Sequence, residues 1–216
     1  MWGHTRVMKQ VWISKAGGPE VLQVRSAPDP EPGAGEVRIR VSAAGINFAD
    51  IMARMGLYPD APPLPCVVGY EVAGTIDKVA DGVTTVSVGD RVMAMTRFGG
   101  YSDTVVVPAN QVTPIPERLS DHEAAAVPVQ YLTAYLMLIR LGNLQAGERV
   151  LIHSAGGGVG LAAVQLARWR GAEIFGTASA GKHERLREVG VDHCIDYRNQ
   201  DFEVEVMRIT EERGVD

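Results

Sequence analysis

The sequence predicts an α/β protein in which a β-rich N-terminal part precedes a doubly wound parallel sheet that is incomplete within the chain. Three observations carry this. From Val7 to Pro116, glycine and proline recur at short intervals around segments such as Glu36-Val37-Arg38-Ile39-Arg40-Val41, whose strict alternation suits a strand with one buried face. Ser120-Asp121-His122-Glu123 is a capping box that opens an alanine-rich helical stretch. From Glu148 onward, strand-like and helix-like segments alternate at the pitch of a parallel sheet with right-handed crossovers.

Taken in order, the N-terminus MWGHTRVMKQVWISKAGG has no apolar core followed by a cleavage site and reads as a first strand. Gly56, Pro59, Pro62, Pro63, Pro65, Gly69, Gly74, Gly82 and Gly89 punctuate further short strands, which suggests a compact, partly barrel-like domain. After the capping box, Pro128 breaks the helix and a second helix, Tyr131 to Leu141, ends at Gly142. The seam falls between these helices and the strand at Arg149, giving domains 1–119, 120–147 and 148–216.

Beyond it, Val150-Leu151-Ile152 reads as a strand, Gly156 to Gly160 as a tight turn and Leu161 to Arg170 as a helix. Glu173 to Ala178 is the second strand, Gly181 to Glu188 a helix, and His193 to Asp196 the third strand. Asn199 is positioned to cap a last helix with Phe202, Val206 and Ile209 on one face. Val215 resembles the start of a fourth strand, which in the doubly wound order pairs with the first and closes the ligand crevice. With half of that crevice missing, the chain alone is expected to bind its cofactor poorly and to aggregate through an exposed sheet edge.

Composition narrows the function. The 216 residues are 46% hydrophobic and 22% charged, ordinary for a globular protein, and the net charge of -5 leaves no basic footprint for nucleic acid. The longest apolar stretch, Ala124 to Ile139, is interrupted by Pro128 and Gln130 and is short of the roughly 20 residues of a membrane span. Cys66 and Cys194 stand far apart, which fits a reducing compartment and a cytoplasmic protein and excludes a disulfide framework. His4, His122, His153, His183 and His193 show no metal-ligand spacing, and His153 reads as packed or hydrogen-bonded.

The glycine turn carries the chemistry. The dinucleotide fingerprint G-x-G-x-x-G lands on Ala155, Gly157 and Gly160, where helix N-terminal N–H groups can hold a pyrophosphate. Roughly 20 residues on, where an NAD-specific protein places an acid, stand Ala178, Ser179 and Ala180, followed by Lys182, with Tyr197 and Arg198 after the next strand. No carboxylate would repel a 2′-phosphate, and the pattern points to NADPH. Gly176 to His183 nearly matches a P-loop, but His183 replaces the hydroxyl residue that holds Mg²⁺. No tyrosine has a lysine four residues later, which sets aside the short-chain dehydrogenases.

Ala44-Gly45-Ile46-Asn47-Phe48-Ala49-Asp50, Gly56-Leu57-Tyr58-Pro59, Gly69-Tyr70-Glu71-Val72-Ala73-Gly74, Gly89-Asp90-Arg91-Val92 and Ala155 to Gly160 together resemble the medium-chain dehydrogenase/reductase superfamily. The resemblance implies a GroES-like N-terminal domain and a Rossmann cofactor domain. The positions that hold catalytic zinc in the family's alcohol dehydrogenases look like Asn47, Tyr70 and Val129, and the four-cysteine lobe is absent. That is the pattern of the zinc-independent quinone oxidoreductase branch, and residues 142–168 together with 176–184 are similar to homologues of the vesicle amine transport protein.

The branch implies an NADPH-dependent reductase of quinones or α,β-unsaturated carbonyls with no metal. Asn47, Tyr58 and Tyr70 are the implied catalytic hydrogen-bond donors, and a structural role for either tyrosine is an equal alternative. Thr133 matches the family's cofactor-contacting threonine and joins Gly156, Gly157, Gly158, Val159, Gly160, Ser179, Lys182 and Tyr197 as the cofactor set. The family also implies a homodimer. The competing readings are a non-catalytic cofactor-binding or membrane-associated adaptor of the same fold, and an inactive fragment.

Overall fold

The computed structural model describes residues 7–216, so His4 lies outside the described residues. The chain forms two compact units, one reaching to Val129 and one from Gln130 to Asp216. The helical stretch is thereby divided between them.

In the first unit, β1 (Val7–Ile13) and β2 (Leu22–Pro28) form an antiparallel pair. A second, five-stranded antiparallel sheet is built from β3 (Glu36–Ala44), β4 (Glu71–Val79), β5 (Arg91–Met95), β6 (Thr104–Pro108) and β7 (Val112–Pro114). Its order is β6-β3-β4-β5-β7, open at β6 and β7. Isolated bridges from Gln10 to Ser102 and from Ile13 to Cys66 tie the β1–β2 pair to the loops around it.

The alternation in β3 does what its pattern predicts. Val37 and Ile39 are fully buried with Val72, Ile76, Val92 and Val105 in one core, while Arg38 and Arg40 turn to the other face and both bond Asp77. Arg40 also pairs with Asp29, and Lys78 with Glu31. α1 (Phe48–Arg54) and α2 (Asp121–Ala125) complete the unit. The predicted capping box at α2 is present in full: Ser120 Oγ accepts from Glu123 N at 3.3 Å, and Glu123 accepts from Ser120 N at 2.9 Å.

α3 (Pro128–Tyr135) starts at the proline itself, three residues before the expected Tyr131, because a proline at the first helical position forfeits no helical hydrogen bond. A π-type turn, Leu136–Leu141, continues it to Gly142.

The second unit is a parallel three-stranded sheet in the order β10-β9-β8, with β8 (Arg149–Ile152), β9 (Glu173–Ala178) and β10 (His193–Asp196). The strands agree with the sequence reading; the helix starts do not. α4 (Gly158–Arg170) begins three residues earlier than expected because Gly157, extended at ψ 174°, serves as its N-cap. α5 (His183–Val189) follows a 3₁₀ turn over Ala180–Lys182 instead of starting at Gly181.

α6 (Phe202–Ile209) is capped by Asp201, whose Oδ1 accepts from Glu203 N and Val204 N, not by Asn199. The Asn199 carboxamide donates instead to Asp196 at 2.6 Å. Val206 and Ile209 pack on Phe175 and Ile195 as their spacing predicts, whereas Phe202 remains partly exposed. The Asp216 N–H donates to Arg149 O at 3.0 Å, alongside β8.

Small residues set the spacing of both cores. Ala155, Ala162, Ala163 and Ala167 let α4 approach β8 and β9 closely. In the first unit, Gly74 lies where β4 meets an irregularity in β3 between Val41 and Ala43. A Cβ there would overlap the Arg40 carbonyl oxygen and lie 2.8 Å from its carbon. Gly74→Ala is therefore expected to destabilise the first unit by about 3 kcal/mol, as overpacking in a rigid sheet does. Urea denaturation measures it, and an unchanged midpoint would contradict the strand spacing described.

Candidate functional site

The second unit carries the predicted glycine turn. Ser154 leaves β8 in the left-handed region at φ 53°, and Ala155 is fully buried, with its N–H bonded to Thr177 O at 3.0 Å. Ser154 N also donates to Thr177 Oγ1 at 3.2 Å, so β9 pins the turn from beneath. Gly160 sits directly over this corner: a Cβ would overlap Ser154 O and lie 2.8 Å from Ala155 Cα. Only glycine allows α4 to start so close to β8. The N–H groups of Gly158, Val159 and Gly160 fall in the first turn of α4, where no helical acceptor precedes them.

Gly156 faces a cation. A Cβ on it would stand 2.8 Å from Lys182 Cδ and 3.6 Å from Lys182 Nζ, so this side chain lies across the turn. Lys182 is brought there by the 3₁₀ turn after β9, capped at Ser179 and closed by Lys182 N donating to Ser179 O at 2.9 Å. Gly158 faces Gln130 of α3, whose Cγ would be 3.1 Å from a Cβ. Thr133, one helical turn beyond Gln130, shares that face of α3. Tyr131 Oη bonds Gln165 Oε1 at 2.6 Å and ties α3 to α4.

Tyr197 is exposed at the end of β10 with the Arg198 guanidinium 5.8 Å above its ring. Thus Lys182 meets the glycine turn, Ser179 caps the 3₁₀ turn that carries Lys182, Thr133 lies on the α3 face of Gln130, and Tyr197 is an exposed side chain just after β10. His153, as expected of a hydrogen-bonded residue, pairs with Thr177 Oγ1 at 3.2 Å and stands edge-on to Phe202. A helix N-terminus, small turn residues and an adjacent ammonium fit a dinucleotide pyrophosphate.

In the first unit the three predicted catalytic residues are linked, though not in one row. Tyr58 and Tyr70 meet edge to face, with ring centroids 6.2 Å apart, and Phe98 packs on the other side of Tyr70 at 5.3 Å. The Tyr70 hydroxyl is buried with no hydrogen-bond partner of normal geometry. Burial, then the neighbouring Tyr58, pushes its pKa up, so it keeps its proton at neutral pH.

Asn47 reaches the same loop through Glu71. Its Nδ2 donates to Glu71 Oε1 at 2.9 Å, and Glu71 Oε2 accepts from Val129 N at 2.8 Å. The positions assigned by resemblance to zinc therefore hold a carboxamide bonded to a carboxylate, a buried phenol and an apolar side chain. This donor set does not fit zinc. Among the described residues, no three His, Cys, Asp or Glu side chains group as metal ligands.

Buried Asp50 and Glu71 and half-buried Tyr101 are polar residues whose roles the sequence did not single out. The Asp50 carboxyl, 4% exposed, accepts from Asn47 N at 2.8 Å and from Gly69 N at 3.1 Å. Burial raises its pKa, partly opposed by these N–H groups and by the Tyr101 hydroxyl. Asp50 and Tyr101 border a cavity of about 750 Å³ whose walls include Val11, Ile13, Val24 and Ile46. Gly45 and Gly69 were the available signals, since each glycine packs against one of these side chains: Gly45 on Glu71, Gly69 on Tyr101.

Residues 33–117 match the alcohol dehydrogenase GroES-like domain, and residues 158–216 match the zinc-binding dehydrogenase family. The chain is 50% identical over 196 residues to the human synaptic vesicle membrane protein VAT-1 homolog, covering 90% of this chain and 50% of that protein. It therefore spans about half the length of the curated relatives it matches. The crystal structure of the human VAT-1 homolog-like protein superimposes with a TM-score of 0.90 at 40% identity, covering 98% of this chain and 67% of that one. The CurK enoyl reductase gives 0.92 at 38%, covering 97% and 65%. A mycobacterial protein solved with NADPH gives 0.88 at 34%, covering 96% and 65%.

The fold and the two matched domains place the chain in the alcohol dehydrogenase-like class of proteins. The chain belongs to the medium-chain dehydrogenase/reductase superfamily and is similar to the VAT-1 homologues and the quinone oxidoreductases within it.

The raised pKa of Asp50 sets a pH dependence. Its folded value lies above the ordinary 3.8, so the folded state holds this proton more tightly than the unfolded chain does. The resulting stabilisation is complete below about pH 4 and is withdrawn as pH rises through the folded value. Urea midpoints measured between about pH 3 and pH 7 should fall less with rising pH in Asp50→Asn than in the wild type. Equal slopes would contradict the assignment.

Proposed function

We propose that this protein is an NADPH-dependent, zinc-independent reductase of quinones or α,β-unsaturated carbonyls. The observation that carries the reading is Lys182 laid across the Gly156 turn, with no acid between β9 and that lysine. In this reading the N–H groups of Gly158, Val159 and Gly160 bind the pyrophosphate, and Lys182 with Ser179 binds the 2′-phosphate. Thr133 contacts the nicotinamide end, and Tyr197 flanks the adenosine end.

The chemistry that NADPH supplies is a hydride from C4 of its nicotinamide. Asn47 and Tyr70 supply hydrogen-bond donors for the charge that develops on the substrate oxygen, with Tyr58 holding the Tyr70 ring in place. The enoyl reductase and quinone oxidoreductase names among the similar structures support the substrate class, and the NADPH-bound neighbour supports the cofactor. A homodimer and a cytoplasmic location belong to the same reading.

A second reading, a cofactor-binding adaptor at a membrane, is favoured by the names of the vesicle-membrane relatives. Among the described residues, no helix is long and apolar enough to cross a membrane. The two readings separate in one assay. The reductase reading expects NADPH oxidation, followed by absorbance at about 340 nm, with a small quinone or an enone, and slower turnover in Lys182→Ala. NADPH binding with no turnover across a quinone and enone panel would favour the adaptor and contradict the reductase.

A further inference from the structure

Glu71 is fully buried, at 0% exposure, and the chemistry proposed above gives it no role. Burying a carboxylate without partners is costly, so its surroundings must repay it with hydrogen bonds. They do so from two separate parts of the chain. Oε1 takes the Asn47 carboxamide at the N-terminus of α1, and Oε2 takes the Val129 N–H in the first turn of α3, a donor with no helical partner. The third wall is Gly45: a Cβ there would overlap Glu71 Oε1 and lie 2.5 Å from its Cδ, so the loop leading to Asn47 has no side chain where the carboxylate sits.

Each bond constrains the others. Both carboxylate oxygens are acceptors, so the Asn47 group facing Glu71 has to be the NH₂ and not the carbonyl. Glu71 thus holds the amide in the orientation that also turns its carbonyl oxygen toward the Asp50 N–H. Asn47 is itself only 9% exposed and caps α1, its side chain facing the Asp50 backbone in a capping box. We infer that Glu71 is the positioning residue of the candidate site: its carboxylate fixes the direction in which the Asn47 carboxamide presents its donor and joins that residue to the start of α3. The inference rests on the reductase reading for its effect on turnover. The hydrogen-bond geometry stands without it.

Glu71→Gln tests this. The substituted carboxamide can keep one acceptor for Val129 N–H but presents an NH₂ to the Asn47 NH₂, which should make the Asn47 amide flip. Two readouts are needed, one of which requires no turnover. First, the ¹⁵N–¹H pair of the Asn47 side chain should shift in Glu71→Gln, and Gly45→Ala, which displaces the carboxylate, should shift it the same way. Urea midpoints of N47A, E71Q and the double variant N47A/E71Q should show coupling and not additivity.

Second, kcat for NADPH-linked reduction should fall about 100-fold in Glu71→Gln, the size of losing an oriented donor, with KM for NADPH unchanged. The pair N47D/E71Q restores a complementary hydrogen bond. It should regain most of the lost urea midpoint but none of the lost kcat. A Glu71 that acted by packing alone would regain neither.

An unshifted Asn47 pair in a folded Glu71→Gln, or additive midpoints, overturns the inference. Should Glu71→Gln not fold, Asn47→Ala, which keeps the Val129 bond, must move the ¹³C resonance of the Glu71 carboxyl, and an unmoved resonance overturns it equally. Coupled midpoints and a shifted amide in a protein without turnover leave the positioning role in place and remove the reductase reading.

Discussion

The close approach of α4 to the end of β8 is the constraint on which the second unit depends. It exists because Gly160 has no side chain over Ser154 O and Ala155 Cα. Given that contact, Ser154 must turn into the left-handed region, and Ala155 must be small and buried. The first N–H groups of α4 then point away from the sheet. Thr177 of the next strand holds the corner with both its carbonyl and its hydroxyl, which ties the turn to the sheet. A site built on such a corner needs little reorganisation to meet a phosphate. Lys182 completes it from the following crossover.

The first unit solves a different problem. It has to shield Asn47, Asp50, Glu71 and much of Tyr101 from water without leaving them unpaired. Its solution is a set of backbone donors and small residues around each carboxyl: Asn47 N and Gly69 N for Asp50, Val129 N for Glu71, with Gly45 and Gly69 making room. The Tyr70 hydroxyl, by contrast, is buried without a partner of normal geometry. Unsatisfied groups of this kind are rare in folded proteins, and one of them here falls on a residue with a proposed chemical role.

The parts of this structure that could be read from sequence are those specified locally. The alternation of β3, the Ser120 capping box and the strand-turn-helix over Arg149 to Arg170 depend on residues a few positions apart, and all three are present. The misplaced helix starts depend on competition between neighbours. Asn199 has the chemistry of a cap, but Asp196 lies within its reach and takes its amide, leaving Asp201 to cap α6. Glu71 was not legible at all, because a glutamate in a strand is ordinarily exposed and its burial depends on residues 24 and 58 positions away. Gly45 marked the place without saying what filled it.

Fluorescence titration of NADPH against NADH, in the wild type and in Lys182→Ala, puts the glycine turn and its lysine to the most direct test. NADPH should bind the wild type at least about 10-fold more tightly than NADH, a difference of one charge-assisted bond, and Lys182→Ala should remove the difference while leaving NADH binding in place. Equal affinities in the wild type, or a preference for NADPH that survives Lys182→Ala, would contradict the assignment of the glycine turn and Lys182 as an NADPH site.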